Sequence, residues 1–326
     1  MKGEVLMKLE SKVFAGLNLY ERNVYQCLKK NGNCIIDNPI MKWMCTKIHR
    51  YLIKDVLLKY VEVPITVRCT LCCEECCNLM QYYEKPYTIE GRQIVADVRH
   101  LARNVRFIKQ IRILGGEPLV HKDLIYILAE IGKIPNIANV ELVTNGTVLF
   151  SDELLMLLKD SKYSVDISNY KENSKHYKEI ISSLRKNHIA FITEKKGMTW
   201  WAMSDIRYRN RNVKQLQKAL KSCKMDCLNM LNGAFHLCPR SSHGMELKIV
   251  EERQRDVVYI RKNNSIGKEL YNLLNTDYIN ACNYCDVFRM SKLKKVKAGK
   301  QIDRQKALLR FHKIQKINQE RKRMNN

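Results

Sequence analysis

No stretch of this sequence stays apolar long enough to cross a bilayer as a helix. The longest hydrophobic runs lie in "DLIYILAEI" and "ELLMLL", far short of the roughly 20 residues a span requires. The opening residues, "MKGEVLMKLESKVFAGLNLYERN", scatter acids and lysines and lack an apolar h-region, so a signal peptide is not expected. A cytoplasmic location is expected instead, where thiols stay reduced and clustered cysteines bind metal more often than they form disulfides. There is no internal repeat. Acids are scarce: 33 Asp and Glu stand against 58 Lys and Arg, a formal charge of +25. Residues 292–326 alone hold thirteen Lys and Arg against Asp303 and Glu320, so +11 of that excess sits in the tail. Such a balance predicts acidic partners without naming them. With 45% hydrophobic and 28% charged residues the chain reads as globular rather than disordered. Its 326 residues suit one large domain plus a smaller one, or two ordinary ones.

Residues 1 to about 60 read as helical, since "NPIMKWMCTKIHRYLIKDVLLKY" spaces its apolar residues by three and four. From Val61 the pattern alternates. "VEVPITVR", "FIKQIRIL", "NVELVT", "YSVDIS" and "IAFIT" are predicted strands, and helical segments separate them. In "GRQIVADVRHLARNV", Ile94, Val98, Leu101 and Val105 step by four, three and four. Ser151 is a candidate N-cap for "SDELLMLLKD". Short strands alternating with helices argue for βα units, a parallel sheet and a barrel or partial barrel, with chemistry at the C-terminal strand ends. From about Lys221 to Met290 this rhythm is lost. The expected units are a helical extension over 1–60, a barrel over 61–220, a cysteine-rich domain over 221–290 and a basic, helical tail over 291–326. In that tail Leu308, Phe311, Ile314 and Ile317 are spaced by three and form the expected apolar face.

Thirteen cysteines is a high count, and ten fall into three clusters: Cys69, Cys72, Cys73, Cys76 and Cys77; Cys223, Cys227 and Cys238; Cys282 and Cys285. Cys27, Cys34 and Cys45 stand apart and are expected to be buried small hydrophobes. In the first cluster only Cys69, Cys73 and Cys76 have C-x3-C-x2-C spacing, and a zinc reading would need two C-x2-C pairs that abut. A short loop around a bulkier metal cluster fits better. Three thiolates on a four-iron cluster leave one iron open to a small chelating molecule.

This loop after a first strand resembles the signature of the radical S-adenosylmethionine (SAM) superfamily, whose fold is a partial (β/α)6 barrel. "LGGEP", Leu114 to Pro118, follows the second strand as that family's GGE(P) motif does, and "TNGT", Thr144 to Thr147, follows the third. The resemblance implies cofactor contacts from Gly115, Gly116, Glu117 and Pro118, with Glu117 accepting from the methionine ammonium, and from Asp166 and Ser168 in "SVDISNY". It implies a [4Fe-4S] cluster on Cys69, Cys73 and Cys76, with Cys72 and Cys77 as bystanders. No G-x-I-x-G-x-x-E element follows the fifth strand. Leu79, Tyr82 and Tyr83 are candidates to shield a cluster from water, or ordinary core residues. Farther on, Cys223-x9-Gly233-x4-Cys238 followed by Cys282 and Cys285 resembles the auxiliary-cluster extension called SPASM, or its shorter twitch form. The thiol count favours twitch with one second [4Fe-4S] cluster. Cys223 and Cys227 compete for one ligand position, and a structural zinc on the same thiolates is the alternative.

The resemblance implies reductive cleavage of SAM to a 5′-deoxyadenosyl radical that abstracts hydrogen from a substrate, fed by an acidic donor such as flavodoxin or ferredoxin. The expected substrate is a sugar or other small molecule. A peptide or protein substrate is the alternative, and a zinc-stabilised basic protein binding nucleic acid is the alternative from another class. Trp200 and Trp201 are candidates to stack on a sugar or base. The tail is expected to dock as a solvated helix rather than to touch RNA or an anionic membrane.

Overall fold

The computed structural model describes residues 10, 13–14, 17–28, 38–50, 55–193, 199–223, 225, 227–262 and 264–324. Cys34 lies outside them. Helices α1 (Leu19–Cys27) and α2 (Pro39–Ile48) precede β1 (Leu57–Thr66), so the sheet begins four residues before the expected Val61. The expected helix over 38–60 therefore ends early. β1 is buried along nearly its whole length, and Leu57, Leu58 and Val61 at its start stand three and four apart, which mimics helical spacing.

From β1 the chain alternates through α3 (Gly91–Arg103), β2 (Phe107–Gly115), α4 (Leu124–Gly132), β3 (Ile137–Thr144), α5 (Asp152–Leu158), β4 (Tyr163–Ile167), α6 (Tyr177–Lys186) and β5 (Phe191–Thr193). Neighbouring strands from β1 to β5 pair in parallel. Each helix lays an apolar stripe on the sheet, as Ile94, Val98 and Leu101 do on α3. Ser151 caps α5 by accepting from the Leu154 amide at 3.2 Å.

β6 (Thr199–Trp201) stands outside this sheet, and α7 (Val213–Ser222) follows it. Next comes β7 (Leu228–Leu231), which pairs in parallel with β1 and so adds a sixth parallel strand beside the first rather than beyond the fifth. β8 (Ala234–His236) and β9 (Val258–Tyr259) continue the sheet antiparallel. The region read as irregular also holds α8 (Pro239–Glu246) and α9 (Gly267–Leu274). Last come β10 (Lys295–Lys297), paired antiparallel with β6, and the tail helix α10 (Arg304–Arg323). The tail docks through Ala307, Phe311, Ile314 and Asn318, a four–three–four spacing instead of the expected repeat of three. Trp200 packs edge-on against Tyr170 and Trp201 lies under the Lys295 ammonium, both half-buried.

Candidate metal centre

The chain leaves β1 through a register shift between Pro64 and Thr66, which bends the strand as it enters the cysteine loop. The end of β2 runs tightly beneath that loop. A Cβ on Gly115 would stand 2.2 Å from the Thr66 carbonyl oxygen, and one on Gly116 2.1 Å from that of Arg68. The two glycines thus admit the backbone of the cysteine loop itself, a close approach that any side chain would block.

Cys69, Cys73 and Cys76 sit on one short loop, close enough for their charges to act on one another. Burial pushes the Cys69 and Cys73 thiols up to about 12, and the neighbouring cysteines add to it. Cys76 is likewise raised by burial and by Cys72. Each sulfur also has N–H donors aimed at it. The Leu71 amide lies 3.5 Å and the Asn145 side-chain amide 3.6 Å from Cys69 Sγ. The backbone amides of Asn78, Leu79 and Met80 approach Cys76, in a turn that puts Leu79 at φ 58°. Gln301 Nε2 lies 3.3 Å from Cys73 Sγ. Leu79, Tyr82 and Tyr83 are buried around the loop.

Glu117 is fully buried. Its carboxylate accepts from Thr144 Oγ1 at 2.8 Å, the Asn145 amide at 2.8 Å and the Leu119 amide at 3.2 Å. Burial nevertheless raises it to about 7. A carboxylate has about four acceptor sites, so the chain's own donors leave room for about one more. Pro118 starts the short helical turn after it. Ser168 donates its amide to the Thr144 carbonyl at 2.9 Å.

Asp166 belongs to a polar belt across the barrel interior that the motifs did not indicate. Arg112 on β2 donates to Glu141 at 2.5 Å and Asp166 at 2.6 Å, with Glu62 at 3.6 Å. Glu62 and Asn229 hold matching register positions on β1 and β7. Burial raises Glu62 and Asp166 above the usual carboxylate range despite Arg112. The signal was present in the sequence as a charged residue flanked by apolar ones in each strand: Glu62, Arg112, Glu141 and Asp166.

The later cysteines converge as well. Cys223, Cys238, Cys282 and Cys285 line one cavity of about 450 Å³, together with Cys77. Burial lifts Cys238 to about 12 and Cys282 well above the usual thiol range, with the other thiols of this cavity contributing. Cys227 turns away, its sulfur 2.8 Å from the Tyr60 hydroxyl. Between β7 and β8, Asn232 (φ 48°) and Gly233 (φ 76°) make a two-residue hairpin turn of the kind Asn-Gly favours. Among the described residues no group of three or more His, Cys, Asp or Glu is arranged to hold a metal ion, whereas the thiolates of a cluster bind separate iron atoms.

Residues 63–192 match the Radical SAM superfamily. The chain is similar to that superfamily over this segment. It is 28% identical over 148 residues to a GTP 3′,8-cyclase of Moorella thermoacetica, covering 44% of this chain and 40% of that protein. A GTP 3′,8-cyclase of Alkaliphilus metalliredigens is 36% identical over 96 residues, 28% of this chain and 29% of that one. The chain thus spans about two-fifths or less of the length of these curated relatives. The solved structure of native anSMEcpe with bound AdoMet and Cp18Cys peptide aligns with a TM-score of 0.46 at 13% identity, over 82% of this chain and 98% of that one. The radical SAM family implies a [4Fe-4S] cluster and SAM, and the donor set around Cys69, Cys73 and Cys76 fits: three buried or half-buried free thiols on one loop, each met by N–H groups suited to thiolate sulfur. No helix among the described residues is long and apolar enough to cross a membrane.

Proposed function

We propose that this protein is a radical SAM enzyme acting on a small molecule. Cys69, Cys73 and Cys76 would hold a [4Fe-4S] cluster, leaving one iron open for SAM. The single observation that carries this reading is that each of these sulfurs, on a loop packed against the GGE and TNGT motifs, is met by N–H donors. When bound, these cofactors supply a 5′-deoxyadenosyl radical, through one-electron cleavage of SAM, for hydrogen abstraction. The chain's part is to hold the sulfurs, exclude water with Leu79, Tyr82 and Tyr83, and present the polar belt to whatever enters the barrel. Asp166 and Ser168, at the end of β4, are the candidate polar contacts to SAM, and Gly115, Gly116, Glu117 and Pro118 shape the same rim.

A second, twitch-type [4Fe-4S] cluster on Cys223, Cys238, Cys282 and Cys285 is supported by the shared cavity and the Asn232–Gly233 hairpin. The same cavity disfavours Cys227 as a ligand. A phosphorylated small molecule is the favoured substrate class. The curated relatives named above are named for GTP, and the net charge of +25 suits an anion or an acidic electron donor.

Anaerobic purification with iron, zinc and acid-labile sulfide assays, followed by SAM cleavage under reduction, tests the reading. A brown protein whose Cys69→Ala, Cys73→Ala and Cys76→Ala variants lose SAM cleavage, while Cys72→Ser keeps it, supports it. A colourless zinc protein overturns it.

A further inference from the structure

The basic tail meets its acidic partners inside the molecule. After β10 the chain crosses the cysteine loop and bonds to it on both sides. The Glu74 amide donates to the Lys300 carbonyl and the Ile302 amide to that of Cys72, each at 2.8 Å. Residues 73 and 301 form an antiparallel bridge. Farther along, Lys300 pairs with Glu74 at 2.7 Å, Arg310 reaches Glu75 at 3.5 Å, and His312 meets Glu84 at 3.0 Å. Phe311 stacks on Tyr82 with ring centroids 5.2 Å apart. The strap over the loop is therefore seated by backbone, charge and aromatic contacts together.

At its centre Gln301 holds two adjacent cysteines at once. Its Oε1 accepts from the Cys72 amide at 2.8 Å, and its Nε2 donates to Cys73 Sγ at 3.3 Å. The same Nε2 is fixed by the Gly299 carbonyl at 2.6 Å. Gln301 is exposed and the thiol of Cys73 beneath it is buried, so the amide sits as a cover on that sulfur. Hydrogen bonds to cluster sulfurs and solvent exposure are two of the levers that set a cluster's reduction potential. A donor favours the more negative, reduced form.

Resting on the cluster reading above, we infer that Gln301 is a positioning residue that, through the Cys73 sulfur, raises the reduction potential of the first cluster and couples the C-terminal strap to it. The strap is then part of the redox site rather than a footprint for nucleic acid.

Redox titration of the reconstituted cluster followed by electron paramagnetic resonance tests this in the full chain, with Gln301→Leu, Gln301→Glu and the exposed tail control Lys313→Ala. In Gln301→Leu the reduced-to-oxidised ratio at the wild-type midpoint is expected to fall roughly threefold or more, where tenfold is about 59 mV for one electron. Gln301→Glu keeps the acceptor for Cys72, loses the donor, and shifts the same way; Lys313→Ala leaves the potential unchanged. An unchanged potential in the Gln301 variants overturns the inference. If neither variant takes up iron, alkylation of the cluster-free proteins decides: without the Gln301 donor the Cys73 thiolate is disfavoured, and Cys73 is expected to react at least about threefold more slowly than in wild type, relative to Cys69. Equal rates overturn the coupling. A wild-type protein that assembles no cluster sinks the proposed function instead, a result separate from both.

Discussion

The side-chain amide of Asn145 lies 3.6 Å from Cys69 Sγ and 3.1 Å from Thr70 Oγ1, tying the end of the third strand to the loop after the first. The other end of that side chain accepts from the Thr147 amide at 3.0 Å, which orients it. In this chain the TNGT motif serves the cysteine loop. Asn145→Asp keeps the acceptor and replaces the donor with a charge facing sulfur. The variant is expected to fold with a near-native circular dichroism spectrum yet bind clearly less iron and sulfide in reconstitution. Full iron loading would show that the bond is incidental.

Gly116→Ala is expected to be costly without touching any substrate. Its new methyl group would meet the Arg68 carbonyl at 2.1 Å and Cys69 Cβ at 2.7 Å, both held by neighbouring strand ends. Overpacking against fixed backbone costs about 3 kcal/mol. Urea unfolding of the cluster-free variant measures the loss, and a change below about 1 kcal/mol would mean that the loop yields easily.

Glu117 makes a pH-dependent contribution of defined sign. Burial raises it from 4.5 to about 7, so between those values the folded chain holds a proton that the unfolded chain has released. Unfolding free energy therefore falls as pH rises through that window. The residue's contribution is complete below 4.5 and is lost as pH passes about 7, an effect on the order of 3 kcal/mol. Denaturation of the cluster-free protein at several pH values is expected to show this slope, and Glu117→Gln to flatten it. A slope identical in the two proteins would assign it to other groups.

Cys223 and Cys227 are four residues apart and face different surroundings, a cavity shared with three further candidate ligands against the Tyr60 hydroxyl. Cys223→Ser is expected to remove or distort the second cluster's resonance, with loss of up to about four iron atoms per chain. Cys227→Ser is expected to leave the iron content intact. The opposite pattern would place Cys227 in the ligand set and require the segment around it to turn.

The C-x3-C-x2-C, GGEP and TNGT elements are legible in the sequence alone because ligand spacing, tight turns and strand ends are local properties, set within a few residues. The alternation of strands and helices is visible for the same reason. Partners far apart in the chain are not. Gln301 meets Cys73 across 228 positions, and Arg112 joins Glu62, Glu141 and Asp166 only through the register of three strand pairs. The docking face of the tail helix differs from the expected one because apolar spacing alone does not say which side finds Tyr82 to pack on. Composition and spacing thus point to a class of chemistry and mark the candidate ligand positions along the chain. Which sulfur receives which hydrogen bond, which cysteine enters the cavity lined by Cys238, Cys282 and Cys285, and what the basic tail covers are decided by long-range packing, since such contacts form only once burial and strand pairing bring distant segments together.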